Sequence, residues 1–242
     1  MEPDPNIMTR RYFVPDLPTA GGLVSLPSLE AQHAIRVMRI KVDDIVELFN
    51  GAGLQAEAKV VEIGRHECVC LAEAGQLVDR EPNVSLYLGI ALPKPDRAKE
   101  LIERLTELGV QQVTPILAER TQRGPTESML EKLSKVVIEA CKQSGRNQLL
   151  HIQSPVTAEH YFQEVATQRK IIAHPTDQGI SPTSLMSNSL DQSFAIAIGP
   201  EGGWTDSEYQ KAVDQGFESV NLGKRIYRIE TAAAALVSVL VS

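Results

Sequence analysis

What most constrains this chain is a change of grammar at about residue 83. Beyond it, apolar runs of strand length alternate with segments whose apolar residues recur at helical spacing. Strand candidates are residues 84–92, 110–117, 149–152, 170–173, 194–198 and 219–222. A helix capped by Asp96 carries Leu101, Ile102, Leu105 and Leu108 on one side and closes at Gly109. A long helix opened by Thr126 aligns Leu130, Leu133, Val137, Ala140 and Cys141 along one face and ends at Gly145. Further helices are expected over 158–167, from Asp206 and from about Thr231, whereas the Ser-rich run 181–193 reads as a flexible connection around the apolar pair Leu185 and Met186. Strands alternating with helices predict an α/β domain, a largely parallel sheet covered on both faces. Ligands of such sheets bind beyond the carboxyl ends of the strands.

Before residue 75 the pattern is different. Residues 11–14, 22–26, 45–49, 54–63 and 66–71 read as short strands, and Asn50, Gly51, Ala52 and Gly53 as a hairpin loop whose Asn and Gly accept positive φ. One helix over 28–38 interrupts them, with Ser28 as N-cap and Leu29, Ala34, Ile35 and Met38 largely on one side. A small, mostly antiparallel β-barrel carrying one helix accounts for this stretch. The polar segment 75–83 contains Pro82 and separates the two patterns, so the expected division is a barrel domain at 1–75 and an α/β domain at 83–242.

The 242 residues are 43% apolar, enough for real cores, yet no run of about 18 apolar residues occurs and the first residues lack the apolar core of a signal peptide. The expectation is a soluble, cytoplasmic protein without a membrane partner, or an organelle protein if a transit segment has been removed. Cys68, Cys70 and Cys141 form no CxxC pair, and the five His and three Cys show no ligand spacing, so neither a disulfide framework nor a metal is expected. Cys68 and Cys70 alternate in an apolar strand and read as packing. The net charge of −7 argues against coating nucleic acid by bulk attraction. Residues 8–41 run the other way: Arg10, Arg11, Arg36, Arg39 and Lys41 stand against Asp16 and Glu30, a local net of +3. That patch reads either as a solvated charged face or as a surface for phosphates.

Two loops carry the candidate chemistry. Gly199, Pro200, Glu201, Gly202 and Gly203 follow a strand and precede a helix, but fit neither GxGxxG nor the P-loop. Glycines there let a ligand approach the backbone closely. Thr205 and Glu208 make a capping box, and Trp204 with Tyr209 stand at staple positions, which explains the only Trp better than a base-stacking platform does. In the second loop Arg228 and Glu230 flank Ile229 ahead of an alanine-rich apolar helix expected to be buried. Glu230 reads equally as a cap suited to the helix dipole and as a catalytic group.

Residues 199–204 with Glu208, Leu222 and Gly223 with Arg225, residues 228–232, residues 106–110 and residues 143–147 together resemble the RsmE family, the 16S ribosomal RNA uridine-N3 methyltransferases of the SPOUT class. Residues 11–13 and 33–39 are similar to that family's N-terminal module, so the likeness runs through nearly the whole chain. Departures are mild: Arg104 stands where the family often has Lys, while Tyr227 and Ile229 replace commoner Leu and smaller or polar residues. The resemblance implies a PUA-like N-terminal β-barrel and an α/β SPOUT domain with a mostly parallel sheet, threaded as a deep trefoil knot. It also implies S-adenosyl-L-methionine as cofactor, a homodimer with the active site near the subunit interface, and 16S rRNA or the small ribosomal subunit as partner.

Cofactor contacts are implied mainly from backbone, at the loop of Ala173, His174 and Pro175, at Gly199, Pro200, Glu201 and Gly202, and at Leu222, Gly223, Ile226 and Ile229. Beside Pro175, His174 also reads as a plain loop residue. Arg146 and Asn147 are implied as RNA or catalytic-loop contacts, and the patch of Arg10, Arg11, Arg36, Arg39 and Lys41 as phosphate contacts. Uracil N3 carries a proton, so methylation there needs a proton acceptor and a group to stabilise charge on the flanking carbonyl oxygens. Arg228 is the expected stabiliser, and Glu230 the expected proton acceptor or the group that orients an arginine. The competing readings are another SPOUT RNA methyltransferase, acting on a ribose 2′-OH or on tRNA, and a non-catalytic RNA-binding assembly factor.

Overall fold

The structure, a computed structural model, describes residues 10–176, 179–187 and 193–241. They fall into two compact units, one running to Arg80 and including Cys141–Leu149, the other formed by Glu81–Ala140 and the chain from Leu150 onward.

In the first unit, β1 (Arg11–Phe13), β2 (Gly22–Ser25), β3 (Ile45–Phe49), β4 (Leu54–Ile63), β5 (Cys68–Ala72) and β6 (Gln76–Leu77) make one sheet in the order β1-β3-β4-β5-β2, with β6 on β4. Only β1 and β3 pair in parallel; the other pairs are antiparallel. The period of two is plain in β4, where Leu54, Ala56, Ala58 and Val60 are buried and Glu57 and Lys59 exposed. Cys68 and Cys70 are free and belong to that core. The turn between β3 and β4 forms as expected: Asn50 Oδ1 accepts from the N–H of Ala52 (2.8 Å) and of Leu54 (3.1 Å), and Gly51 and Gly53 take positive φ.

Helix α1 (Ser28–Arg36) departs from its sequence reading. Pro27, not Ser28, holds the cap position and no side chain caps the helix. Its buried face is Glu30, Ala31 and Ala34, while Leu29 is 70% exposed. The reason is electrostatic: the Glu30 carboxylate pairs with Lys142 Nζ at 3.2 Å, both side chains almost out of solvent. A buried charge must keep its partner, so the helix turns Glu30 inward beside Ala31 and Ala34, leaving Leu29 in solvent and Ile35 partly buried against the core.

The second unit alternates as expected apart from an additional short strand, β10: β7 (Ser85–Ile90), α2 (Pro95–Glu107), β8 (Gln112–Leu117), α3 (Glu127–Ser144), β9 (His151–Ile152), β10 (Val156–Thr157), α4 (Ala158–Glu164), β11 (Arg169–Ala173), a 3-10 turn (Pro182–Ser187), β12 (Ser193–Ile198), α5 (Asp206–Asp214), β13 (Glu218–Val220) and α6 (Ile229–Val241). The sheet order is β10-β8-β7-β12-β11-β13, with β9 on β8, and every pair is parallel. The central strand β12 is apolar on both faces: Phe194, Ile196 and Ile198 are buried on one and Ala195 and Ala197 on the other. Two helix starts differ from expectation. Asp96 lies in the first turn of α2, which begins with Pro95 at a position where a missing N–H costs nothing. α6 starts at Ile229 rather than Thr231, so Glu230 sits inside its first turn. Of the connection expected at 181–193, residues 188–192 and the Met186 side chain lie outside the described residues, and Leu185 is buried. Among the described residues no helix is long and apolar enough to cross a membrane.

The last turn of α3 and the segment after it are held in the first unit by Arg11. Its Nε donates to Glu47 Oε1 and its Nη1 to the carbonyl of Cys141, each at 2.5 Å, and its Nη2 to Asn147 Oδ1. Asn147 passes the connection on, donating to Gln55 Oε1 (2.8 Å) and to the carbonyl of Val78 (3.2 Å). Burial lowers the Arg11 pKa and the Glu47 carboxylate opposes that shift. Arg11→Met should therefore cost about 3 kcal/mol of stability by leaving Glu47 and two carbonyls without their cation, and Arg11→Met with Glu47→Leu should recover part of the loss. Urea unfolding of the two variants measures this.

Candidate active site

Ala173 pairs with Ile198 and with Val220, so β11, β12 and β13 end on one level and their outgoing loops leave side by side. Residues 173–175, the glycine loop after β12 and the segment ahead of α6 thus close around a pocket of about 300 Å³, a size that suits a small ligand. Its walls are apolar at Ile198, Val220, Leu222 and Ile229.

Trp204 forms the wall where these loops meet. Its Nε1 donates to the carbonyl of Ala173 (3.2 Å), and its ring packs 5.6 Å from that of Phe162. A Cβ on Gly199 would stand 2.9 Å from the indole, so only glycine fits there. Gly203 takes φ 70, closing the turn that hands the chain to α5. The expected capping box is present: Thr205 Oγ1 accepts from the Glu208 N–H, and Glu208 Oε2 from the Thr205 N–H. Trp204 is 4% exposed, so it supports the pocket and presents no open face for a base.

Arginines that sequence reasoning missed brace the glycine loop. Arg120 Nη1 donates to the carbonyls of Gly202 (2.8 Å) and Trp204 (3.2 Å). Arg97 Nη2 donates to Glu201 Oε1 at 2.6 Å, and its Nη1 lies 3.6 Å from Glu230 Oε2. Glu201 is held below the ordinary carboxylate range, first by a hydrogen bond from its own backbone N–H, with burial opposing and Arg97 assisting.

Of the residues singled out from sequence, His174, Gly199, Pro200, Glu201, Leu222, Gly223, Ile226, Arg228 and Ile229 border the pocket. Gly202 does not, and its carbonyl faces Arg120 instead. Glu230 lies outside the lining too, 4% exposed. Arg228 is exposed at the rim, and Ile226 is 95% exposed. His174 is more than a loop residue: its ring stacks on Tyr209 with centroids 4.4 Å apart, and its Nδ1 is buried with no hydrogen-bond partner. In the first unit Arg36, Arg39 and Lys41 are exposed, whereas Arg10 pairs with Asp44 at 2.8 Å. Arg11, Arg146 and Asn147 are buried, and Arg11 and Asn147 are committed to the protein contacts above. Buried in this way, the three side chains are not an open surface for RNA phosphates in this structure. Among the described residues no group of three or more His, Cys, Asp or Glu gathers as a metal site.

This architecture recurs in known proteins. Residues 80–241 match the RNA methyltransferase domain family and residues 30–73 the RNA methyltransferase PUA domain family. The curated ribosomal RNA small subunit methyltransferase E of Synechocystis sp. is 31% identical over 229 residues, covering 93% of this chain and 75% of that protein. The Bacillus subtilis protein of that name is 28% identical over 218 residues, covering 86% and 85%. Among solved structures, a methyltransferase from Legionella pneumophila in complex with the bound cofactor SAM superposes with a TM-score of 0.89 at 29% identity over 96% of each chain. The ribosomal RNA small subunit methyltransferase E of Neisseria gonorrhoeae bound to S-adenosyl methionine gives 0.84 at 28% over 95% of each. The fold is thus that of a SPOUT-class RNA methyltransferase domain preceded by a PUA-like domain. Within that class the chain belongs to the ribosomal RNA small subunit methyltransferase E family.

Burial pushes the His174 pKa below its usual value, with Asp206 opposing. The folded state therefore favours the neutral ring, and as pH falls below about 6.5 the unfolded chain takes up a proton that the native site resists, so stability drops. His174→Gln should flatten this dependence. Comparing melting temperatures of wild type and variant at pH 7.5 and pH 5.5 checks it.

Proposed function

We propose that the chain transfers a methyl group from S-adenosyl-L-methionine to N3 of a uridine in 16S ribosomal RNA, working in the cytoplasm as a homodimer with its site near the subunit interface and its C-terminal part threaded as a trefoil knot. The observation that carries the reading is the pocket at the carboxyl ends of three parallel strands, with the glycine loop on one side and Arg228 on its rim.

The residues present suit the cofactor. Ile198, Val220, Leu222 and Ile229 offer apolar walls for a heteroaromatic ring, the loop backbones offer polar groups, and the buried Nδ1 of His174 lacks a partner. When bound, the cofactor supplies an electrophilic methyl group. Arg97 and Arg120 hold the glycine loop rigid, and that fixed geometry favours in-line transfer. Arg228 places a cation where charge builds on the uracil carbonyl oxygens as N3 gives up its proton to solvent water and takes the methyl group in its place. Glu230 is buried beside Arg97, which supports its role in orienting an arginine over direct contact with the base. Arg36, Arg39 and Lys41 offer exposed cations for RNA phosphates.

Arg228→Ala should slow single-turnover methylation by about a hundredfold with cofactor affinity little changed, since one fixed donor at developing charge contributes on that order. Single-turnover assays on small subunits from a strain lacking the modification, followed by mass mapping of the methylated base, test rate and target together. A methyl group on a ribose would overturn the N3 assignment. Charge reversal at Arg36 and Arg39 should weaken RNA binding and flatten its salt dependence while sparing cofactor affinity. A salt titration of RNA binding decides it.

A further inference from the structure

Arg97 stands in the first turn of α2, distant in sequence from both pocket loops, yet it reaches a carboxylate of each. Glu201 belongs to the glycine loop. Glu230 belongs to the first turn of α6, two residues after Arg228. The packing of α2 against α6 brings the guanidinium into place. Glu230 is 4% exposed and its Oε2 makes no hydrogen bond, so the cation at 3.6 Å is what compensates that oxygen. A planar guanidinium can serve two carboxylates from its two ends at once, whereas an ammonium is a single point of charge.

We propose that Arg97 is a positioning residue that sets the gap between the two walls of the pocket, fixing the donor loop through Glu201 and the turn that carries Arg228 through Glu230. The proposal rests on the methyltransferase reading above. It makes the two ends of the bridge separable. Loosening the Glu201 end frees the wall that holds the donor and acts on KM for S-adenosylmethionine. Loosening the Glu230 end shifts the turn that presents Arg228 and acts on kcat.

The test uses the full chain and its Arg97→Met, Arg97→Lys, Glu201→Gln and Glu230→Gln variants. Calorimetry with S-adenosylmethionine, steady-state methylation of unmodified small subunits and melting temperatures are read side by side. Arg97→Met should raise KM for the cofactor about tenfold and lower kcat about tenfold, with Arg97→Lys recovering part of both. Glu201→Gln should raise KM alone and Glu230→Gln lower kcat alone. If Arg97→Met does not fold, Arg97→Lys and the half-exposed Glu201→Gln carry the same comparison. Wild-type kinetics in those variants, or losses that follow melting temperature without separating KM from kcat, would overturn the bridge. Wild-type protein that binds no S-adenosylmethionine would instead overturn the methyltransferase reading, and the role of Arg97 with it.

Discussion

The indole of Trp204 is the contact on which the site depends. Its N–H bonds to the last carbonyl of β11, its ring occupies the space beside Gly199 at the end of β12, and the next residue caps α5. One side chain thus joins two strand ends to the following helix, and a buried Trp requires a hydrogen-bond partner of this kind. From below, Phe162 packs on the indole and Phe217 on Phe162 with centroids 5.2 Å apart, so the floor cannot sink. The glycine at 199 then has a steric cause. It is there because the indole is there, and no phosphate-gripping geometry is needed to explain it.

Charge follows a second logic. The chain is acidic overall, yet some of its cations face inward: Arg11 binds Glu47 and a helix-end carbonyl, and Lys142 binds Glu30, each replacing water at a group that folding would otherwise strand. Arg97 and Arg120, nearer the surface, brace the glycine loop. Among the exposed cations, Arg36, Arg39 and Lys41 cluster at the end of α1 and just beyond it, and Lys224, Arg225 and Arg228 cluster ahead of α6. Net charge is blind to this division, which is why −7 is compatible with surfaces of the opposite sign.

The same division explains what could be read from sequence. Strand and helix alternation, the Asn50 turn and the Thr205 capping box rest on residues a few positions apart, and all three stand in the structure. The pocket was legible because glycines after an apolar run mark the carboxyl end of a strand, and topology brings three such ends together. What failed depended on distant partners. The face of α1 was misread because Lys142 lies 112 residues from Glu30, and Arg11 looked like a surface cation because Asn147 lies 136 residues away. Arg97 carried no local signal at all, since in the first turn of an amphipathic helix an arginine reads as solvated.

Glu230 shows how burial narrows two readings that spacing leaves equal. A proton acceptor must come within hydrogen-bond reach of the proton it takes, roughly 2.6–3.2 Å between heavy atoms or one water away. Glu230 does not line the pocket and is 4% exposed behind it, whereas Arg228, two residues earlier, stands on the rim. The position of Glu230 in the first turn of α6 suits a carboxylate by the helix dipole, and Arg97 compensates its charge from the other side. On the proposed chemistry, any influence of Glu230 on the uracil must then be relayed through the turn it anchors, with Arg228 as the group that meets the developing charge.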